Sequence, residues 1–258
     1  MIDINKYIQF KIGNNLLIIS IPHGGTVKID SIPSRKNGIR GIDKATIQLG
    51  RDLIAQIEQK FCEKDHDSNT PYYVISKVHR SQIDFNREEK KAYQKESGIA
   101  ERIYSLYHKK LREYVSRSIE KFGRAILIDI HGYETNNRPK GFRDVDIVLG
   151  TNNLKSIYPK RRPKKKNWDK NIRGRIIERL GDLGVPIAPG LSRRREYVLK
   201  GGYITQTYGA SEIENCLALQ MEFSERIRLD FHGDLRTKIL HSLAELFVDE
   251  IISKERKR

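Results

Sequence analysis

The seven residues Ile126-Leu127-Ile128-Asp129-Ile130-His131-Gly132 constrain this chain more than any other stretch. A short, unbroken apolar run halted by a turn residue is the pattern of a strand buried on both faces, as in an α/β sheet covered by helices. Asp129 and His131 stand two positions apart and therefore share one face of that strand. A second apolar run, from Leu16 to Ile21, leads into Pro22-His23-Gly24-Gly25. Ligands in open α/β sheets bind beyond the carboxyl ends of the strands, so two strands that each deliver a histidine ahead of glycine predict one shared site. Two converging imidazoles suit a metal ion, most often zinc. A strand-end histidine taken singly is more often structural, and it is the repetition of the context that favours the metal.

The remainder of the chain reads as the same architecture. Residues 7–21 predict one or two strands, with Gly13-Asn14-Asn15 as a turn signal. Asp43 is placed to cap a helix whose buried stripe is Ile47, Gly50, Leu53, Ile54, Ile57 and Phe61. A strand is expected over 72–78 and a long amphipathic helix over 99–122. Further strands are expected over 145–150 and 216–223, with helices over 169–183 and 234–252. Loops are expected over 26–42, 62–71 and 190–209. Residues 159–170, rich in lysine and arginine and carrying Pro159 and Pro163, predict a basic loop or disordered insert. Helix-then-strand alternation without a Pro/Gly/Ser linker or internal repeat predicts one α/β domain over residues 1–258.

Charge narrows the partners only partly. Lysine plus arginine number 49 against 33 acids, a net charge of +16. That attracts anions of every kind without choosing among them. The run Lys160–Lys166 is the expected seat of any non-specific anionic-polymer binding. Neither Cys62 nor Cys216 belongs to a C-x-x-C pair, which excludes a cysteine zinc finger and argues against a disulfide framework. The first residues lack the apolar core of a signal peptide, and no apolar run approaches the ~20 residues that span a bilayer. A cytoplasmic protein with no membrane partner is the expectation.

Two further groups of residues carry chemistry. In Arg80-x3-Asp84-x-Asn86-Arg87, two guanidiniums bracket an acid and an amide, and arginine suits carboxylates and oxyanions. Glu222 ends the run Cys216–Phe223, so apolar that its carboxylate should be partly buried, with a raised pKa suited to general acid–base work near neutrality. Asp129 is placed to support His131 from behind.

With these sites goes a resemblance. Ile-Pro-His23-Gly-Gly, Arg80-x3-Asp84-x-Asn86-Arg87, Asp129-x-His131-Gly, Asp146-x3-Gly150-Thr151, Gly201-Gly202-Tyr203-Ile-Thr-x2-Tyr208-Gly209 and Gln220-x-Glu222 occur in the order found in N-formylglutamate amidohydrolases. The chain resembles that family from about residue 16 to 224. The family is related in fold to zinc carboxypeptidases and aspartoacylases. The resemblance implies a three-layer α/β/α fold around a central mixed sheet, of the zinc-carboxypeptidase (phosphorylase/hydrolase-like) type. It implies one zinc ion per chain that activates water against the amide bond of a small acidic substrate: an N-formylglutamate-like compound, another N-acyl amino acid, a γ-glutamyl amide or an acidic peptide. His23 and His131 would be metal ligands, Glu222 the general base and Arg80 the oxyanion stabiliser. Asn86 and Arg87 would hold a substrate carboxylate, and Tyr203 would close over it.

The chain departs from the carboxypeptidase pattern in one place. No glutamate follows the first histidine, where Gly24-Gly25-Thr26-Val27-Lys28 stand instead. Asp43 and Asp30 are the acids within reach, and Asp43 is preferred as third ligand because a helix start is the firmer platform. Two other readings compete: a basic nucleic-acid-associated protein on this fold, which lacks any aromatic-basic or helix-turn-helix signature, and a family member that has lost catalysis.

Overall fold

The computed structural model describes residues 3–65, 69–134, 144–159, 162–197 and 199–255, the side chains of 254 and 255 excepted. Seven strands form one sheet. They are β1 (Ile8–Lys11), β2 (Leu17–Ile21), β3 (Tyr72–Ser76), β4 (Ala125–Tyr133), β5 (Ile147–Gly150), β6 (Ile187–Ala188) and β7 (Cys216–Ser224). The helices are α1 (Thr46–Cys62), α2 (Glu89–Ala92), α3 (Gly98–Phe122), α4 (Ile172–Asp182), α5 (Tyr203–Tyr208), α6 (Glu225–Arg228) and α7 (Asp234–Glu255). The strand order is β1-β3-β2-β4-β7-β5-β6. Strands β3, β2, β4 and β7 run parallel, β1 pairs antiparallel with β3 and β5 antiparallel with β7, so the sheet is mixed.

Side-chain alternation splits the central strands between two cores. Ile19, Ile21, Ile126, Ile128, Ile130, Leu219, Met221 and Phe223 face a core closed by α1, α4 and α7. Ile18, Leu127 and Ala218 face the opposite core, closed by α3 and α5. Each fully buried aliphatic side chain is worth about 1.5–3 kcal/mol. A one-residue slip in register would turn every one of these residues to the wrong side, so the pattern fixes the pairing firmly. On the α3 face, the same alternation continues past the apolar residues into Ser20, Asp129, His131, Gln220 and Glu222. Register places Asp129 beside both Ser20 and Gln220, and His131 beside Glu222. The site is therefore the polar continuation of one sheet face at the carboxyl ends of β2, β4 and β7.

Helix α3 shows how local signals set an element. Ser97 accepts from the N–H of Ala100 at the start, and Gly123 ends the helix in the left-handed conformation (φ 72°) with its N–H on Ile119 O. Ile103, Tyr107, Leu111, Tyr114 and Ser118 fall on its buried stripe.

Some expectations are corrected by the structure. Strand β4 does not stop at Gly132 but runs on to Tyr133, because β7 pairs with it to Ser224. Asp43 does not cap α1. Ala45 holds the cap position in the left-handed region (φ 59°) without a side-chain bond, and the Asp43 carboxylate points elsewhere. The basic segment is not all loop: Lys165–Lys170 forms a 3-10 helix around buried Trp168, whose indole N–H donates to Pro163 O at 3.0 Å. Lys160 and Arg161 lie outside the described residues. Residues 190–209 end in α5, although most of the stretch is loop as expected. The two cysteines are free, Cys62 exposed and Cys216 buried. No helix among the described residues is long and apolar enough to cross a membrane.

Candidate metal centre and hydrolytic site

Backbone geometry brings the first and second sequence motifs together. The Asp43 N–H donates to His23 O at 3.0 Å, which folds the loop after β2 back onto the strand end. Thr46 closes the turn with its hydroxyl on Asp43 O at 2.7 Å. Asp43 thereby reaches β4, where its Oδ2 accepts from the Gly132 N–H at 3.2 Å. A side chain at 132 would not fit, since an added Cβ would stand 2.2 Å from Nε of buried Arg228.

Three side chains meet there. His131 Nδ1 lies 3.2 Å and His23 Nδ1 3.5 Å from Asp43 Oδ2, and all three residues are buried. Each imidazole is held from behind by another carboxylate: His23 Nε2 is 2.6 Å from Asp84 Oδ1, and His131 Nε2 is 2.8 Å from Asp129 Oδ2. Asp129 in turn accepts from the Ser20 hydroxyl at 2.7 Å. Backing carboxylates fix the orientation of each ring, and a neutral ring that donates Nε2–H presents an Nδ1 lone pair on its other side, as metal ligation needs. Both Nδ1 atoms face Asp43. His23 Nδ1 is buried with no hydrogen-bond partner.

These residues fit a metal ion. Two ligand bonds of ~2.05 Å at a tetrahedral angle separate their ligand atoms by about 3.3 Å, against the 3.2 and 3.5 Å found here. His23, Asp43 and His131 form a group whose ligand atoms all lie within 4.8 Å of one another. Asp30 is exposed and stands outside the group.

The site's electrostatics follow from the pairing. Burial opposes ionisation of Asp43, yet the His131 and His23 imidazoles beside it hold its carboxyl well below the usual range. Asp84 is likewise held low against its burial by His23, Arg80 and Arg35. Burial would lower His131, but Asp129 and Asp43 raise it well above an ordinary histidine. Burial raises Glu222, and nearby Asp43 adds to the effect while His131 and Arg80 oppose it.

Other expected residues fall at different distances from this centre. Arg80 bridges Asp43 Oδ1 and Asp84 Oδ2, each at 3.2 Å. Asn86 Nδ2 lies 3.1 Å from His131 Nε2, and its Oδ1 accepts from the Ile204 N–H at 2.8 Å. Glu222 accepts from the Gln220 amide at 2.6 Å, and Gln220 accepts from the Gly202 N–H at 2.5 Å. The Gly202 and Ile204 N–H groups at the start of α5 therefore hold Gln220 and Asn86. An added Cβ at 202 would lie 2.3 Å from the Asn86 amide. His23, Asp43, Arg80, Asn86, His131 and Glu222 all line one cavity of about 520 Å³.

Arg87 and Tyr203 are not part of that lining. Arg87 donates from Nε to Asp84 Oδ2 at 2.8 Å. The Tyr203 ring packs edge-on against His108, 5.7 Å between centroids. His108 itself carried no sequence signal beyond one more histidine on an amphipathic helix. Half-buried on α3, it meets Phe85 O at 3.0 Å while Tyr104 donates to Arg87 O at 2.7 Å. The two bonds clamp the backbone on either side of Asn86.

The sheet topology and the buried His–Asp–His group, with Glu222 facing the same cavity, define a hydrolase-like α/β protein with room for a metal. A family model described as N-formylglutamate amidohydrolase matches residues 93–228. The chain belongs to the N-formylglutamate amidohydrolase family. Among solved structures, the N-formylglutamate amidohydrolase from Ralstonia eutropha JMP134 is similar to it with a TM-score of 0.65 and 16% identity, over 98% of this chain and 99% of that one. A gene product of Agrobacterium tumefaciens matches with a TM-score of 0.55 and 12% identity, over 97% and 95%. A metallo-carboxypeptidase from Pseudomonas aeruginosa aligns at a TM-score of 0.45 and 11% identity over 93% of this chain and 57% of its own, a likeness too slight to argue from. No curated protein matches the chain significantly.

Proposed function

We propose that this amidohydrolase is zinc-dependent and cleaves the amide bond of a small acidic substrate, an N-acyl amino acid or γ-glutamyl amide of the N-formylglutamate type. The observation that carries the reading is the convergence of His23 Nδ1 and His131 Nδ1 on Asp43, with both Nε2 atoms tied to carboxylates. His23, Asp43 and His131 would hold the ion. Zinc bound there supplies a Lewis acid that polarises the amide carbonyl and makes water acidic enough to deprotonate near neutral pH.

The chain's own residues do the rest. Glu222 takes the proton of the attacking water and returns it to the departing nitrogen; its raised pKa suits both transfers. Gln220 keeps the carboxylate aimed by holding Oε1. Arg80 faces the cavity from between Asp43 and Asp84, where its guanidinium meets negative charge growing on the carbonyl oxygen. Asn86 offers its amide to a substrate carboxylate. Arg87 supports that contact through Asp84, while Tyr203 acts behind Asn86 through the packing of α5 rather than as a cover.

The test is amine release from N-formylglutamate, N-acetylglutamate and γ-glutamyl amides by zinc-loaded protein. Turnover of at least one of them by wild type, lost on chelation and restored by zinc, is expected. Absence of hydrolysis across the panel by fully loaded protein refutes the reading.

A further inference from the structure

Exposed cations gather in a strip on two hydrogen-bonded segments, one of which leads to the cavity wall at Lys200. Arg193, Arg194 and Arg195 are exposed, as are Arg162 and Lys164–Lys166. None of them forms an ion pair with another described residue, whereas Lys11, Lys44, Lys64 and Lys110 all do. The one acid between residues 190 and 200 is Glu196, and it is fully committed inward. Its carboxylate is buried on Arg173 Nη1 at 2.7 Å and accepts from the N–H groups of Thr151 and Asn153, each at 2.8 Å.

The same bonds make the strip a fixed feature. Arg173 donates to the carbonyls of Ser192 and Arg194 at 2.7 and 2.9 Å, which pins the backbone that carries the arginine triplet. Asn153 joins the two basic segments: its carbonyl accepts from Arg162 at 3.1 Å, and its side chain accepts from the Glu196 N–H at 2.8 Å. The adjacent Asn152 N–H bonds Lys200 O, and Lys200 lines the cavity, exposed and without an ion-pair partner among the described residues. From Arg195 to Lys200 the chain can span at most ~17 Å, the reach of about five extended residues.

We propose that this strip is a substrate-binding surface for an acidic peptide, whose scissile amide enters the cavity at Lys200 while its next carboxylates lie along Arg193–Arg195 and Arg162–Lys166. The proposal rests on the amidohydrolase reading, and it favours a peptide over other polyanions because the strip leads within five residues to Lys200 on the wall of the cavity assigned to amide cleavage. Lined-up cations raise the local concentration of such a chain and steer it to the cavity.

The experiment is fluorescence anisotropy of a labelled hexaglutamate peptide against hexaglutamine, at about 0.05 M salt, where exposed charges interact over more than ~10 Å. The acidic peptide should bind at least ~10-fold more tightly than the neutral one, and Arg193→Glu/Arg194→Glu/Arg195→Glu should remove that difference. Should this variant not fold, Arg162→Gln/Lys165→Gln should weaken binding by ~3-fold. Equal binding of both peptides overturns the proposal, as does tighter binding of a six-phosphate single-stranded oligonucleotide. Since binding needs no turnover, the two failures are distinguishable: equal peptide binding with small amides still cut overturns this proposal alone, whereas failure of the amide assay refutes the catalytic reading on which it rests.

Discussion

The imidazoles of His23 and His131 meet edge to face, their centroids 4.8 Å apart and their planes at 71°, and both turn Nδ1 toward Oδ2 of Asp43. Nothing apolar or covalent requires two histidines and a carboxylate to be buried in that arrangement. Burial of so many ionisable groups is costly unless each is paired. Here the second nitrogen of each ring is paired, and the first is directed at a common point.

Loss of one ring should therefore remove the ion. His131→Ala is expected to purify with less than about a tenth of the wild-type zinc, because two ligands of a three-residue set bind far more weakly. Stoichiometric zinc in that variant, measured by elemental analysis, would contradict the ligand assignment.

Glu222 separates chemistry from metal binding. Glu222→Gln preserves the shape and the bond partner Gln220 but removes the base. Zinc content should stay at the wild-type value while kcat falls by ~100-fold or more. Near-normal turnover would place the base elsewhere.

Glu196 supplies a test of stability. It is wholly buried against Arg173 and also accepts from Thr151 and Asn153. Glu196→Ala leaves the guanidinium buried without its counter-charge, an effect of about 3–5 kcal/mol. Urea unfolding should show a loss of unfolding free energy of that size, and a change below ~1 kcal/mol would mean that the loop rearranges freely.

His108 predicts a pH dependence. Burial lowers it from 6.5 to about 4, so between those values the unfolded chain binds a proton that the folded protein refuses. Stability therefore rises with pH across that window and falls as pH drops from about 6.5 toward 4. The full shift corresponds to roughly 3 kcal/mol. In His108→Gln this component should vanish. Identical stability–pH slopes in wild type and variant, measured by denaturant unfolding, would refute it.

Much of this was legible in the sequence because short-range patterns carried it. The apolar runs of β2, β4 and β7 betray strands covered on both faces, and the two-residue spacing of Asp129 and His131 already places the acid beside the imidazole. The stripe of α3 and its Ser97 and Gly123 ends are equally local. What stayed hidden depends on tertiary choice. Asp43 carries the same signal as any helix cap, so the sequence named it third ligand only through the resemblance, and the fold shows its carboxylate turned away from α1 toward two histidines. Arg80 and Arg87 look alike in sequence and both bond Asp84, yet only Arg80 lines the cavity. The role of Asp84 behind His23, 61 positions away, leaves no periodic trace. Trp168 anchors a segment whose composition reads as a solvated insert, because one buried aromatic outweighs its basic neighbours locally.

The most direct test of the metal centre is the zinc content of the purified protein beside that of His23→Ala. About one zinc per wild-type chain and close to none in the variant is the expected result, with the variant still folded by circular dichroism. No zinc in wild type even after addition, or equal zinc in both proteins, would contradict a metal centre at His23, Asp43 and His131.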